Sequence, residues 1–72
     1  MNKRRQIKWV HEGAYVAEVE VELIDDGEGW SPYLSVEDAY RLDEVRTALR
    51  QGDVDAAAKQ ARVYKLTPLA VA

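Results

Sequence analysis

The sequence predicts an α+β fold: a two-stranded antiparallel hairpin packed on two helices, β-β-α-α-(β), with an optional third strand near 63–67. Three observations predict it. Residues 15–24 (YVAEVEVELI) alternate strictly, with Tyr15, Ala17, Val19, Val21 and Leu23 on one side and Glu18, Glu20 and Glu22 on the other. Only a half-buried strand has that period, because successive Cβ atoms leave a strand on opposite faces. Residues 36–50 carry Ala39, Leu42, Val45, Ala48 and Leu49 at three- and four-residue spacing, the apolar stripe of an amphipathic helix. Glycines and aspartates punctuate the chain between such runs, at Gly13, Asp25–Gly29 and Gly52–Asp53.

Taken in order, residues 4–11 (RRQIKWVH) form the first strand, with Ile7, Trp9 and His11 on one face and Gln6, Lys8 and Val10 on the other. Residues opposite each other in a hairpin share a face. A two-residue loop at Glu12-Gly13 would set Trp9 against Val16 and Ile7 against Glu18, mixing core with solvent. A three- or five-residue turn sets Ile7 against Val19, Trp9 against Ala17, Lys8 against Glu18 and Arg4 against Glu22. The second register joins the apolar faces and neutralises the acidic one, and it is the expected register.

The turn Asp25–Gly29 ends the second strand, and Trp30–Leu34 comes next as an irregular or extended segment broken by Pro32. Ser35 opens the first helix as its N-cap, with Asp38 where a capping box would have Glu or Gln, so the box is half made. Glu37 and Arg41 form a favourable i,i+4 pair, and Gly52 ends the helix in a left-handed conformation. Asp53 caps a second helix near 54–63, whose Val54, Ala57, Ala58 and Ala61 make a narrow stripe. Strand propensity returns at Val63–Leu66, and 68–72 is an apolar C-terminal tail of a single domain spanning 1–72. The expected core is Ile7, Trp9, Val19, Val21, Leu23, Leu42, Val45, Leu49, Ala57, Ala58 and Ala61.

Size and composition narrow the function. A chain of 72 residues leaves only about 3–5 kcal/mol of net stability unless something staples it. There is no cysteine, hence no disulfide and no thiolate metal site, so self-association or a bound partner is the expected source of extra stability. No apolar run reaches the ~18–20 residues of a membrane span. Met1–Arg5 is similar to the n-region of a signal peptide, but Lys8, His11 and Glu12 break up the segment where its apolar stretch would lie. The expectation is a cytoplasmic protein that meets no membrane. Charge is uneven: Lys3, Arg4, Arg5 and Lys8 crowd the head, whereas Glu18–Glu44 holds ten acids and one base, Arg41.

The inventory of chemical groups is thin. His11 is the only histidine, and the serines are taken: Ser35 caps a helix and Ser31 precedes a proline. Asp25–Gly29 lacks the order of a calcium loop, and nothing after Gly27-Glu28-Gly29 completes a phosphate loop. Glu18, Glu20 and Glu22 share one solvated face, whereas acid–base chemistry needs carboxylates in unlike environments. Asp53 and Asp55 at the start of the second helix repel phosphate, which argues against a recognition helix. No catalytic residue, metal or cofactor is expected. The partner-binding candidates are Trp30, Pro32, Tyr33 and Tyr40, aromatic and proline residues beside an acidic turn; Lys3, Arg4 and Arg5 are the nucleic-acid alternative.

The run Tyr15–Glu20, a loop with an aromatic residue, and then Ser35-Val36-Glu37-Asp38-Ala39-Tyr40 resembles small bacterial antitoxins of the Hic type. These begin with an alternating β-hairpin and a helix opened by Thr/Ser-x-Glu-Glu-Ala; the chain is also similar to small bacterial proteins found beside toxin-like partners. The resemblance covers about half the chain and lacks that family's Pro-Gly-Cys loop and the glycine before its capped helix, so no functional residue carries over. It implies a non-catalytic protein-interaction module, antitoxin-like or regulatory. The acidic middle fits a basic protein partner, and the alternative is a nucleic-acid-binding accessory protein using the basic arm. A homodimer is expected: the strand at 15–24 or near 63–67 could pair across a two-fold axis, and repulsion among the carboxylates of the long strand favours the tail or the edge nearest Val63 over the acidic face.

Overall fold

The computed structural model describes residues 2–25, 27 and 31–70. Its elements are β1 (Asn2–Glu12), β2 (Tyr15–Asp25), β3 (Tyr33–Leu34), α1 (Val36–Arg50), α2 (Val54–Ala58) and β4 (Arg62–Lys65). The α+β class and both helices are as expected, with β3 added and α2 cut short. β2 is the central strand. It pairs antiparallel with β1 along one edge, and on the other edge with β3 through Leu23 and Ile24 and with β4 through Tyr15–Glu18. Residues 15–18 and 23–24 are therefore paired on both sides and only the short stretch 19–22 keeps an open edge, which corrects the expectation that 15–24 could offer a long edge for dimerisation.

The hairpin register also differs from expectation. Val10 lies opposite Ala17, Lys8 opposite Val19 and Gln6 opposite Val21, while Trp9 faces Glu18 and Ile7 faces Glu20. Arg5, not Arg4, stands across from Glu22. The physical reason is the turn. Gly13 has φ of 59°, and among the described residues none other than glycine has positive φ, so Gly13-Ala14 makes a two-residue loop of the II′ kind, with glycine first. That turn matches the twist of the strands, and it fixes the parity. It sends the even residues of β1 to the side where Ala17, Val19 and Val21 point.

The core obeys that parity. Val10, Ala17, Val19, Val21, Val45, Ala48, Leu49 and Ala57 are buried, with Tyr15, Leu34, Leu42, Ala56, Ala61 and Val63 packed around them. Val10 is 1% exposed, whereas Ile7 at 39% and Trp9 at 59% lie outside the core that was expected to hold them. Ala58 is exposed as well, because α2 stops there and the chain turns back into β4 instead of continuing to residue 63.

Caps position the helices. The Ser35 hydroxyl accepts the Asp38 N–H at 3.1 Å. At the other end Gly52, φ 74°, donates to the Leu49 carbonyl at 3.1 Å and Asp53 donates to Ala48 at 2.8 Å, the two bonds of a Schellman end. Asp53 then caps α2 by accepting the Ala56 N–H at 3.1 Å. Both helices lie on the inward face of the sheet. The Cα extents are 51 × 30 × 14 Å, thick enough for two layers and no third. Among the described residues no element covers the opposite face of the sheet.

Candidate functional site

A polar latch occupies the gap left between β3 and β4 on the edge of β2. The box at Ser35 is half made because the Asp38 carboxylate turns away from the cap and crosses to the sheet. One oxygen accepts the Glu22 N–H at 2.8 Å, and the other takes Arg41 Nη1 at 2.7 Å. Arg41 thus pairs at i,i+3 with Asp38, not with Glu37 as the helical spacing suggested. Its other nitrogen donates to the Gln60 carbonyl at 3.5 Å, tying the stretch after α2 to α1. Asp38 is the one buried charged residue among those described. The Glu22 N–H holds its carboxyl below the usual carboxylate range; burial opposes that shift, and Arg41 adds to it. Clefts of about 480 Å³ and about 280 Å³ flank the latch, lined by Glu20, Glu22, Glu37 and Asp38 with Arg5 and Arg41, and by Ile7, Glu18, Glu20 and Arg62.

The uncovered sheet face is the second feature. β1 contributes Lys3, Arg5, Ile7, Trp9 and His11, β2 contributes Val16, Glu18, Glu20 and Glu22, and β4 contributes Arg62 and Tyr64. The Trp9 and Tyr64 rings lean towards each other over β2, with centroids 6.4 Å apart, although their strands are separated by two spacings, about 10 Å. The Tyr64 hydroxyl donates to Glu18 at 3.2 Å, and Arg5 meets Glu20 at 3.2 Å. The acidic row is thereby partly neutralised within the chain. What remains is an aromatic platform, Trp9 at 59% and Tyr64 at 40% exposed, with Ile7 on the same face of β1.

The expected site residues are scattered. Trp30 lies outside the described residues. Pro32 is half-buried and Tyr33 exposed, with Tyr33 paired to Ile24 at the far end of β2 from the platform. Tyr40 is exposed on the helical side, where it lines a cleft of about 330 Å³ with Asp43, Thr47 and Ala56. Tyr33 and Tyr40 thus lie on different sides of the sheet. Lys3, Arg4 and Arg5 are all exposed on β1, yet the pleat sends Arg4 to the helical side and Lys3 and Arg5 to the open side. His11 Nε2 bonds the Gly13 carbonyl at 2.9 Å and so serves the hairpin turn. Among the described residues no group of His, Cys, Asp and Glu is arranged to hold a metal ion, and no helix is long and apolar enough to cross a membrane. The platform was missed because Ile7 and Trp9 were assigned to the core; the Gly-X turn was the signal that could have found it. Comparison with protein-family models, curated proteins and solved structures returned no match.

Proposed function

We propose that this chain is a non-catalytic protein-interaction module that binds through the open sheet face, with Trp9 and Tyr64 as anchors. One observation carries the reading: a sheet with a single face covered by the described elements leaves Ile7, Trp9 and Tyr64 in water. The accessible surface supports it. At 8.2 kDa the chain exposes 5540 Å², against about 4,500 Å² for a compact monomer of that mass. Tryptophan and tyrosine bury much area at low entropic cost, which makes them frequent anchors of binding energy. An antitoxin-like or regulatory role in a bacterium is the most specific form of this reading.

The second reading, a nucleic-acid-binding accessory protein, draws on the same face, where Lys3 and Arg5 stand near exposed aromatic rings on which bases could stack. Glu18, Glu20 and Glu22 run between them, and Arg5 is already engaged by Glu20, so the protein partner is favoured. The test uses a partner recovered by affinity capture and measured again as a pure protein by calorimetry. Trp9→Ser should weaken its binding at least tenfold, and Tyr40→Ser, on the helical side, should leave it unchanged. Unchanged affinity in both Trp9→Ser and Tyr64→Ser would refute the site. Binding to single-stranded nucleic acid that falls steeply with salt, and again on replacing Lys3, Arg4 and Arg5 by alanine, would favour the second reading.

A further inference from the structure

β1 is the only long strand with an unpaired edge among the described residues, and one hydrogen bond fixes the direction of its free backbone groups. The Glu22 N–H points away from β1, to Asp38. Even residues of β2 therefore turn their backbone groups away from β1 and odd residues turn theirs towards it. The residues opposite those odd positions are even: Val10, Lys8 and Gln6. Hence Lys3, Arg5, Ile7, Trp9 and His11 hold their N–H and C=O groups outward, unpaired, along the whole edge. Such an edge is a template for another strand.

We infer that β1 pairs antiparallel with β1 of a second copy about a two-fold axis at Ile7, joining two sheets into one. This deepens the interaction-module reading and rests on it. A two-fold axis must set outward residues against outward residues, and Ile7 is the midpoint of Asn2–Glu12, so this axis alone uses the full strand. The pairs it makes are Ile7 with Ile7 of the copy, Arg5 with Trp9, and Lys3 with His11. No like charges stand directly opposite.

The charge pattern along β1 favours this antiparallel match. Lys3, Arg4 and Arg5 lie at one end and Glu12, held by Arg46 and Arg50, at the other, so the antiparallel match keeps the two basic heads apart. The two Lys3 residues are then eight positions apart, about 27 Å at 3.4 Å per residue, well beyond the screening length of about 8 Å at physiological salt. The closest like pairs, Lys8 with its copy and Arg4 with Lys8 of the copy, are diagonal neighbours and not direct ones. Arg5 lies against the Trp9 ring of the copy, a cation–π pairing. Glu18, Glu20 and Glu22 of the two copies lie side by side in one sheet and never face each other. The aromatic platforms become one stripe, Tyr64–Trp9–Ile7 continued by Ile7–Trp9–Tyr64 of the copy. The other edges on offer are shorter, four residues in β4 and two in β3.

The chain has no cysteine, so single introduced cysteines report the register without interference. Residues paired across the axis have Cα atoms about 5.5 Å apart, within disulfide range. Sedimentation equilibrium of the full chain should give twice the chain mass, falling towards the monomer on dilution. Under mild oxidation Ile7→Cys should crosslink to a covalent dimer, Arg5→Cys and Trp9→Cys should each remain single chains, and the double variant carrying both should crosslink. Ile7→Pro should give a folded monomer, because the N–H it removes points outward and takes no part in β1–β2 pairing. A monomer mass at all concentrations overturns the inference. So does Ile7→Cys crosslinking no faster than Tyr64→Cys, or a dimer that survives Ile7→Pro. If the chain is monomeric and Trp9→Ser still abolishes partner binding, the self-pairing fails while the module reading stands; a dimer whose Trp9→Ser variant binds normally reverses those outcomes.

Discussion

Removing the Asp38 carboxylate should destabilise this domain out of proportion to a single surface charge. In Asp38→Ala the Glu22 N–H loses the acceptor that Asp38 supplies in the gap between β3 and β4. The donor is part-buried, and a hydrogen bond to a charged group contributes about 1.5–3 kcal/mol. The Arg41 side chain is 36% exposed, so water takes over much of its role and the broken ion pair adds less than about 0.5 kcal/mol. The loss of about 2 kcal/mol is roughly half of what a domain of this size has. With a urea slope near 1 kcal/mol per molar, the unfolding midpoint followed by circular dichroism should fall by about 2 M. The pH dependence adds a second signature. The folded carboxyl titrates below the unfolded one, so its contribution is complete above the unfolded value of about 3.9 and is lost as pH falls through the folded value. The gap between wild type and Asp38→Asn should therefore be constant from about pH 5 to 8 and close below about pH 4. A midpoint shift under about 0.5 M for Asp38→Ala, or a gap that persists in acid, refutes the latch.

The register makes opposite demands on neighbouring residues: Val10→Ala should cost about 2 kcal/mol and Trp9→Ala less than about 1, read by urea unfolding. Gly13→Ala should cost about 1–2 kcal/mol at a position with φ of 59° and open space for a Cβ, so thermal melting should show the strain of the turn and not a clash. Glu12 accepts from Arg50 at 2.9 Å and lies 3.7 Å from Arg46, so Glu12→Gln should cost less than about 1 kcal/mol, and added salt should erase that difference.

Legibility tracked the strength of the local signal. Residues 36–50 carried both a period and two caps, and α1 begins and ends where Ser35 and Gly52 indicated. β2 was legible because its glutamates leave one assignment open. β1 was not, since Ile7 and Trp9 occupy one parity and Val10 the other, and hydrophobic pattern alone favoured the larger residues. A smaller residue won the core because the Gly13-Ala14 turn dictates parity whatever the side-chain sizes. The latch was invisible for a different reason. Ser35 and Asp38 read as a cap, and nothing local tells that the carboxylate leaves its helix for a strand sixteen residues away. The end of α2 was misplaced because alanine favours helix wherever it falls, whereas the pairing of Val63 with Ala17 pulls the chain out of it.

The same ambiguity in β1 bears on function. A strand with one face in water writes a clean alternation, as β2 does; a strand buried on both faces writes apolar residues at both parities. β1 has Val10 towards the helices and Ile7 and Trp9 away from them, and β4 repeats the pattern with Val63 inward and Tyr64 outward. These two strands flank the acidic centre of the open face. A purely solvent-facing surface gains nothing from a tryptophan there, and a protein with so small a core loses by placing its largest side chain outside it. The arrangement makes physical sense when the second face of β1 and β4 is covered in the working assembly. Coverage should then appear as burial of Trp9: in the complex, or in the β1-paired dimer if pairing extends over the ring, Trp9 fluorescence measured with Trp30 replaced by phenylalanine should shift to the blue and lose access to iodide. An emission maximum and quenching unchanged on assembly would mean that the face stays wet and that its aromatic residues do not serve binding.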